Sequence, residues 1–174
     1  FYLDYLQEND VPPPVVLTDF QLFFESVAVD PEGESPLKQS IIETKRIELN
    51  SSQNVLYFEF AALNYIQSEE NEYAYMLENA DQDWNYIQHK RNATFTYLDP
   101  GKYVFRVKAA NNDGIWNEEG LAVEVIIHPP FYETIYFYLI IIGLIVLGIV
   151  GYIRLRIRNL EQNKTRLENM VQDR

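Results

Sequence analysis

Residues 134–153 limit what this chain can be more than any other part of it. They read Thr-Ile-Tyr-Phe-Tyr-Leu-Ile-Ile-Ile-Gly-Leu-Ile-Val-Leu-Gly-Ile-Val-Gly-Tyr-Ile, twenty residues without a charge between Glu133 and Arg154. A helix rises about 1.5 Å per residue, so the stretch spans about 30 Å, the thickness of a bilayer's hydrocarbon core. Its apolar character runs all the way round and leaves no polar face for water. A buried core helix of a soluble domain is the alternative, but such helices seldom run this far without a polar residue. Position excludes a signal peptide, because the stretch follows a long, folded-looking region.

The flanks give an orientation. Arg154, Arg156 and Arg158 follow the span at once, with Lys164 and Arg166 behind them, whereas the last basic residue before it is Lys108. Basic residues near a span stay on the cytoplasmic side, which puts residues 1–133 outside and the C-terminal tail inside. Residues 1–133 hold 23 acidic and 8 basic side chains, net −15; residues 134–174 hold 3 and 6, net +3. Phe131, Tyr132, Tyr136, Phe137 and Tyr138 form an aromatic belt at the outer interface, and Tyr152 marks the inner one. The acidity argues against a nucleic-acid partner, which needs a basic surface. With no cysteine in the chain, an exported domain stands without disulfides, and thiol chemistry and thiolate metal sites are excluded. The chain starts at Phe1 without Met or signal peptide, so it reads as a piece of a longer protein.

About 130 residues precede the span, enough for one extracytoplasmic domain. Residues 1–12 read as the end of a preceding domain and a linker, stiffened by Pro12, Pro13 and Pro14. From residue 13 the composition turns to strand formers, with a strand expected over 15–23, a loop over 30–39 and a strand over 40–49. Alternation is clear after that: Leu56, Phe58 and Phe60 share a face, as do Tyr73, Tyr75 and Leu77. Further strands are expected over 86–88 and 93–97. Pro100 and Gly101 make a turn into a strand over 102–109, with Tyr103, Phe105, Val107 and Ala109 inward and Lys102, Arg106 and Lys108 outward. Asn111-Asn112-Asp113-Gly114 is a hairpin turn, and Leu121, Val123, Val125 and Ile127 form the inner face of the last strand. Short strands with turn signals about every ten residues predict a mainly β fold. It is an immunoglobulin- or fibronectin-III-like antiparallel β-sandwich over 13–130, in which Tyr103 is placed like a tyrosine corner. A transmembrane helix follows over 131–153, and a coiled-coil helix over 154–174.

In that last segment Ile153, Ile157, Leu160, Lys164, Leu167 and Val171 recur at spacings of 4, 3, 4, 3 and 4, a heptad seam that implies a homodimer. Chemistry is absent from the pattern. His89 and His128 stand alone, without the partners a metal site or general base needs. Asp81-Gln82-Asp83 lacks the Gly and distal Glu of an EF-hand loop, and no Gly-rich phosphate loop is present. Trp116 can either stack on a sugar or plug the end of the sandwich, and the plug is preferred. The aromatic stripe Tyr73, Tyr75, Tyr97, Tyr103 and Phe105 reads as core rather than a ligand groove. No catalytic residue, cofactor or metal ligand is therefore assigned.

Several runs together resemble a known domain: residues 13–20 (Pro-Pro-Val-Val-Leu-Thr-Asp-Phe), 58–65 (Phe-Glu-Phe-Ala-Ala-Leu-Asn-Tyr), 73–78 (Tyr-Ala-Tyr-Met-Leu-Glu), Asp83-Trp84, 98–109, 112–117 and Pro129-Pro130-Phe131. They are similar, in order, to the triple-tyrosine (Y_Y_Y) domain of two-component regulator-propeller sensors. On this resemblance Tyr65, Tyr73, Tyr75, Trp84, Pro100, Gly101, Tyr103, Phe105, Gly114 and Trp116 are motif and core residues. Pro129, Pro130 and Phe131 are the membrane junction. Residues 1–10 resemble the last strand of a β-propeller, and residues 167–174 the helix leading into a histidine-kinase dimerisation domain. Tyr132 and Tyr136 stand where the family commonly has Trp. The resemblance implies a single-pass protein of the bacterial inner membrane, dimeric, with residues 1–133 periplasmic. Its role is to relay detection of a glycan, held by the upstream propeller, to a cytoplasmic output that is commonly a histidine kinase; this segment itself is no enzyme. A cell-surface adhesion module on a plain anchor is the rival reading, and the heptad tail argues against it.

Overall fold

The computed structural model describes residues 9–172; in the terminal helix, side chains are described to Arg158 and at Leu160. The expected propeller strand at the start of the chain falls mostly on residues outside that range, as do the side chains of Lys164, Leu167 and Val171. The chain divides into two compact units between Pro129 and Pro130.

The first unit is the expected β-sandwich. One sheet carries β1 (Val15–Leu22), β2 (Glu25–Ser26), β4 (Leu56–Ala62) and β7 (Asn92–Phe95), in the order β2-β1-β4-β7. The other carries β3 (Arg46–Asn50), β5 (Glu72–Glu78), β6 (Asn85–Gln88), β8 (Gly101–Ala110) and β9 (Leu121–His128), in the order β3-β9-β8-β5-β6. Every pairing but one is antiparallel. The exception is β3 beside β9, which run parallel with Ile47 opposite Val125 and Asn50 opposite His128. A wholly antiparallel sandwich was the expectation; β3 closes the sheet edge by a long connection instead of a hairpin, and such a connection leaves its direction free.

Alternation decides which side chains meet. Leu56, Phe58 and Phe60 of β4 are fully buried, and so are Phe105 and Val107 of β8 and Val125 of β9. Phe58 stacks on Phe105 across the two sheets, with ring centroids 4.3 Å apart and planes 9° from parallel. Phe20 packs against the same Phe58 at 5.0 Å. Rings of this size bury most of the apolar area that holds a sandwich together. At the start of β8 the Tyr103 hydroxyl donates to the carbonyl oxygen of Asp99 at 2.9 Å, so the tyrosine ties the turn to its own strand.

Element ends differ from the sequence reading in four places, three of them strand ends and one a helix start. The strand expected over 40–49 begins at Arg46, because Ser40 and Ile41 accept from the N–H groups of Glu43 and Thr44 and make a turn. β1 stops at Leu22 and β7 at Phe95, since Phe23, Phe24 and Tyr97 all have positive φ. The backbone of the expected linker is hydrogen-bonded to the sandwich from Asn9 onward. The helix expected from residue 131 starts instead at Ile135, behind a short 3-10 turn over Phe131–Glu133.

In the second unit one helix, α1, runs unbroken over Ile135–Gln172. Its portion Ile135–Arg158 is 24 residues long, apolar enough to cross a membrane and not buried at all. A soluble core helix of that composition would be mostly covered.

Candidate functional site

The connections between the sheets give the sandwich two distinct ends. At one, the chain leaves. Asn50 and His128 lie side by side there, Gly101 pairs with Ile127, and the loops 51–55 and 96–100 cross between sheets, held together by the Leu98 N–H on the Asn54 carbonyl oxygen. At the opposite end the chain enters: Val15 pairs with Ala62, Glu72 with Ala110, and β9 begins at Leu121.

A set of asparagines holds the entering chain. Asn111, almost fully buried, donates through Nδ2 to the carbonyl oxygens of Asn9 and of Val11, the latter at 3.2 Å. Its Oδ1 accepts from the N–H groups of Asp113 at 3.0 Å and Ile115 at 2.9 Å, which shapes the loop 111–120. Asn117 Nδ2 donates to the Pro13 carbonyl oxygen at 3.0 Å, and the Asp113 carboxylate accepts from the Asn9 N–H at 2.7 Å. On the far side Asn64, also buried, donates to Asn71 Oδ1 at 2.9 Å, while the Leu63 N–H donates to the Pro14 carbonyl oxygen at 2.7 Å. An amide carries both donors and acceptors, so it can satisfy an extended chain that pairs with no strand.

The same loop is pinned to the outer face of the five-stranded sheet. Lys108 Nζ lies 4.7 Å from the Trp84 ring centroid, 5.3 Å from that of Trp116 and 5.7 Å from that of Tyr86. Glu118 accepts from it at 2.8 Å. Trp116 packs edge-on against Tyr86 at 5.5 Å. Burial alone lowers the Lys108 pKa, but the hydrogen bond and charge of Glu118 outweigh that and hold it above its ordinary value. Lys108 does point outward, yet its side chain is only 8% exposed. Trp116 covers this ammonium and does not plug the end of the sandwich.

The remaining motif residues scatter. Tyr73 and Phe105 are fully buried and Tyr103 nearly so, with the Tyr73 hydroxyl oxygen accepting from the Ala62 N–H of the other sheet at 3.1 Å. Tyr75 is half-buried and meets Phe95 edge-on at 5.7 Å. Tyr65 and Tyr97, both read as core, are 93% and 83% exposed. The reason is local: Asn64 turns inward to make its hydrogen bonds and so turns Tyr65 out, and Tyr97 sits beyond the end of β7 with φ at 57°. Gly101 is the first residue of β8, paired with Ile127 and without the positive φ that the expected Pro-Gly turn needs, whereas Gly114 has φ at 76°, in the region that favours glycine. Gly120 was not singled out from the sequence, yet a Cβ there would lie 2.4 Å from the Val107 carbonyl oxygen. Pro129 ends the first unit; Pro130 is extended and leads into Phe131, which is exposed. Ile153, Ile157 and Leu160 are exposed on α1.

His128 lies 3.2 Å from Glu48, and His89 Nδ1 lies 3.1 Å from the Asn71 carbonyl oxygen. Among the described residues no cluster of three His, Cys, Asp or Glu side chains is placed to hold a metal. The loop that clasps the incoming chain is joined by β9 to the outgoing one.

Residues 64–128 match the family described as the Y_Y_Y domain. The whole chain aligns at 28% identity with a histidine kinase, P4, of Formosa agariphila, but spans only 13% of that protein. Among solved structures it is similar to the extracellular domain of the hybrid two-component system BT4673 of B. thetaiotaomicron. The identity is 26% and the TM-score 0.62, over 75% of this chain and 17% of that one. It is also similar to the extracellular domain of the hybrid two-component system BT3049 of the same organism, at 30% identity and TM-score 0.55, over 69% of this chain and 16% of the other.

Proposed function

We propose, from the premise that this chain carries a Y_Y_Y domain, that it is the extracytoplasmic relay and transmembrane coupler of a dimeric two-component sensor. Detection happens in the domain upstream, with a glycan as the ligand class the family resemblance implies. Output lies beyond the helix, and a histidine kinase is the reading that fits the relative from Formosa agariphila. The protein sits in a bacterial inner membrane with the sandwich outside.

One observation carries the relay reading. The loop that clasps the incoming chain at Asn9, Val11 and Pro13 is the connector between β8 and β9. β9 then runs without interruption from that loop to His128, at the other end of the sandwich. A displacement of the incoming chain acts on one end of a strand whose other end leads to the span. Pro129 and Pro130 limit slack beyond it, since proline fixes φ. Exposed Ile153, Ile157 and Leu160 are the start of the seam through which two copies would read the displacement as a change in helix spacing. Ligand affinity must differ between the two dimer states to supply the energy.

The test replaces Pro129-Pro130 in the full-length sensor with a long Gly-Ser segment. Export and ligand binding are expected to persist while ligand-dependent output is lost. Undiminished output from that variant sinks the relay.

A further inference from the structure

Three exposed aromatic residues stand in a backbone conformation that disfavours them. Phe23 and Phe24 are the two central residues of the β1–β2 hairpin, between paired Leu22 and Glu25, with φ at 54° and 65°. A two-residue loop with both φ values positive is a type I′ turn, whose usual residues are Asn and Gly. Phenylalanine meets the left-handed penalty of its Cβ at both positions. Neither side chain recovers the cost by burial, since they are 52% and 64% exposed. Tyr97 repeats the pattern, with φ at 57° and an exposure of 83%. Strain kept at exposed apolar groups points to a function outside the fold.

All three lie at the exit end of the sandwich. The Phe23 N–H donates to the Val55 carbonyl oxygen at 3.1 Å, and the Leu98 N–H to that of Asn54 at 3.4 Å, which places both loops beside the segment following Asn50. Phe24 is paired with Tyr57 at 6.4 Å. From this end the chain passes from His128 to the first residue of the apolar helix, Ile135. Seven residues at no more than about 3.6 Å each reach about 25 Å, the longest tether the chain allows between His128 and the first residue of that helix.

We propose that this rim is a membrane-contact surface, with Phe23, Phe24 and Tyr97 seated at the headgroup–acyl boundary of the outer leaflet. Aromatic rings favour that boundary. The nearby Glu25 and Asp99 disfavour anionic lipid, so the partner is a zwitterionic surface. The contact would hold the exit end of the sandwich at a fixed height above the bilayer. It does not depend on the relay, because a sandwich that passes no signal could still rest on lipid.

The chain has no cysteine, so single labels can be introduced. Full-length chain in phosphatidylcholine nanodiscs, one chain per disc, would carry an environment-sensitive fluorophore at Glu25→Cys beside the hairpin tip. A matched control would carry it at Glu69→Cys at the entry end. Expected at Glu25→Cys are a blue-shifted emission and its loss when headgroup-region nitroxide lipids are included; at Glu69→Cys neither occurs. The variant Phe23→Asn with Phe24→Gly suits the turn, so it should keep the fold while restoring the emission. Water-like emission at Glu25→Cys overturns the proposal. So does quenching that survives Phe23→Asn with Phe24→Gly. A blue shift that appears only with two chains per disc and ignores the nitroxide also overturns it, in favour of contact between copies.

Discussion

The Asn111 side-chain amide donates to the carbonyl oxygen of Val11 at 3.2 Å, joining residues one hundred positions apart in sequence. The same side chain accepts two N–H groups of its own loop, from Asp113 and Ile115. Asn111→Ala strands donors and acceptors together. At about 1–3 kcal/mol for a buried polar group left without a partner, the expected loss is about 2–4 kcal/mol. Chemical denaturation should show a lower midpoint at unchanged slope. Hydrogen exchange at the Leu63 N–H, which holds Pro14, should quicken. Asn111→Asp keeps the acceptors but sets a buried charge against the Asn9 and Val11 carbonyl oxygens, so it should cost at least as much as Asn111→Ala; a smaller cost would show that shaping the loop is the dominant role.

Lys108 and Glu118 should respond unequally. The ammonium is enclosed by Trp84, Tyr86 and Trp116, whereas the Glu118 side chain is 71% exposed. An ion pair with one partner in water contributes under about 1 kcal/mol, and desolvated cation–π contacts about 2 kcal/mol. Glu118→Gln is therefore expected to be nearly silent in thermal unfolding. Lys108→Met should lower the melting temperature and shift tryptophan emission as Trp116 loses its cover. Equal effects would place the stabilisation in the ion pair instead.

At acidic pH the β1–β2 hairpin should weaken through Asp19. Burial by itself raises this carboxyl, but hydrogen bonds from Gln21, Ser26 and the Phe20 N–H outweigh it and hold its pKa below the ordinary 3.8. A depressed folded pKa gives stability that is fully present above the ordinary value and lost as pH falls through the folded one. Asp19→Asn should flatten that part of the stability profile below about pH 4. A profile of unchanged shape would show that Asp19 contributes nothing to acid unfolding.

Tyr103 provides the matching alkaline case. Burial first, then the Asp99 charge, raise its phenol above 10.0. A raised folded pKa gives stability that is full below the ordinary value and lost as pH climbs through the folded one. Tyr103→Phe removes the hydrogen bond to Asp99 for about 1 kcal/mol and should abolish this alkaline loss. Ultraviolet titration of the phenol alongside unfolding checks both.

What was legible in the sequence follows from how each feature is encoded. Leu56, Phe58 and Phe60 announce their strand because a half-buried strand must alternate, and Asn111-Asn112-Asp113-Gly114 announces its turn because few residues but glycine accept the φ found at Gly114. The parallel partnership of β3 and β9 leaves no local trace, since it depends on where a long connection returns. The motif tyrosines share a letter but not an environment: Tyr73 faces the core, while Tyr65 follows an inward-turned Asn64. Asn111 reads as a turn residue, and its hold on the incoming chain, shared with Asn117, becomes visible only when residues far apart in sequence meet. Phe23 reads as the end of a strand because β propensity ranks aromatics high and carries no information about φ.

That last misreading leads to a test of strain. If Phe23 and Phe24 were kept for stability, replacing them would weaken the hairpin. Their exposure and φ values argue the opposite sign. At about 1–2 kcal/mol per non-glycine residue in the left-handed region, Phe23→Asn with Phe24→Gly relieves strain at both positions. Glycine returns part of the gain, since its unfolded chain has more freedom to lose, and the contact of Phe24 with Tyr57 disappears. The net expectation is a gain of about 1 kcal/mol, read as a higher denaturation midpoint of the chain in detergent, where no bilayer contact is lost with the rings. A loss of similar size would mean that the two rings stabilise the fold itself, and the strain would then need no partner outside it.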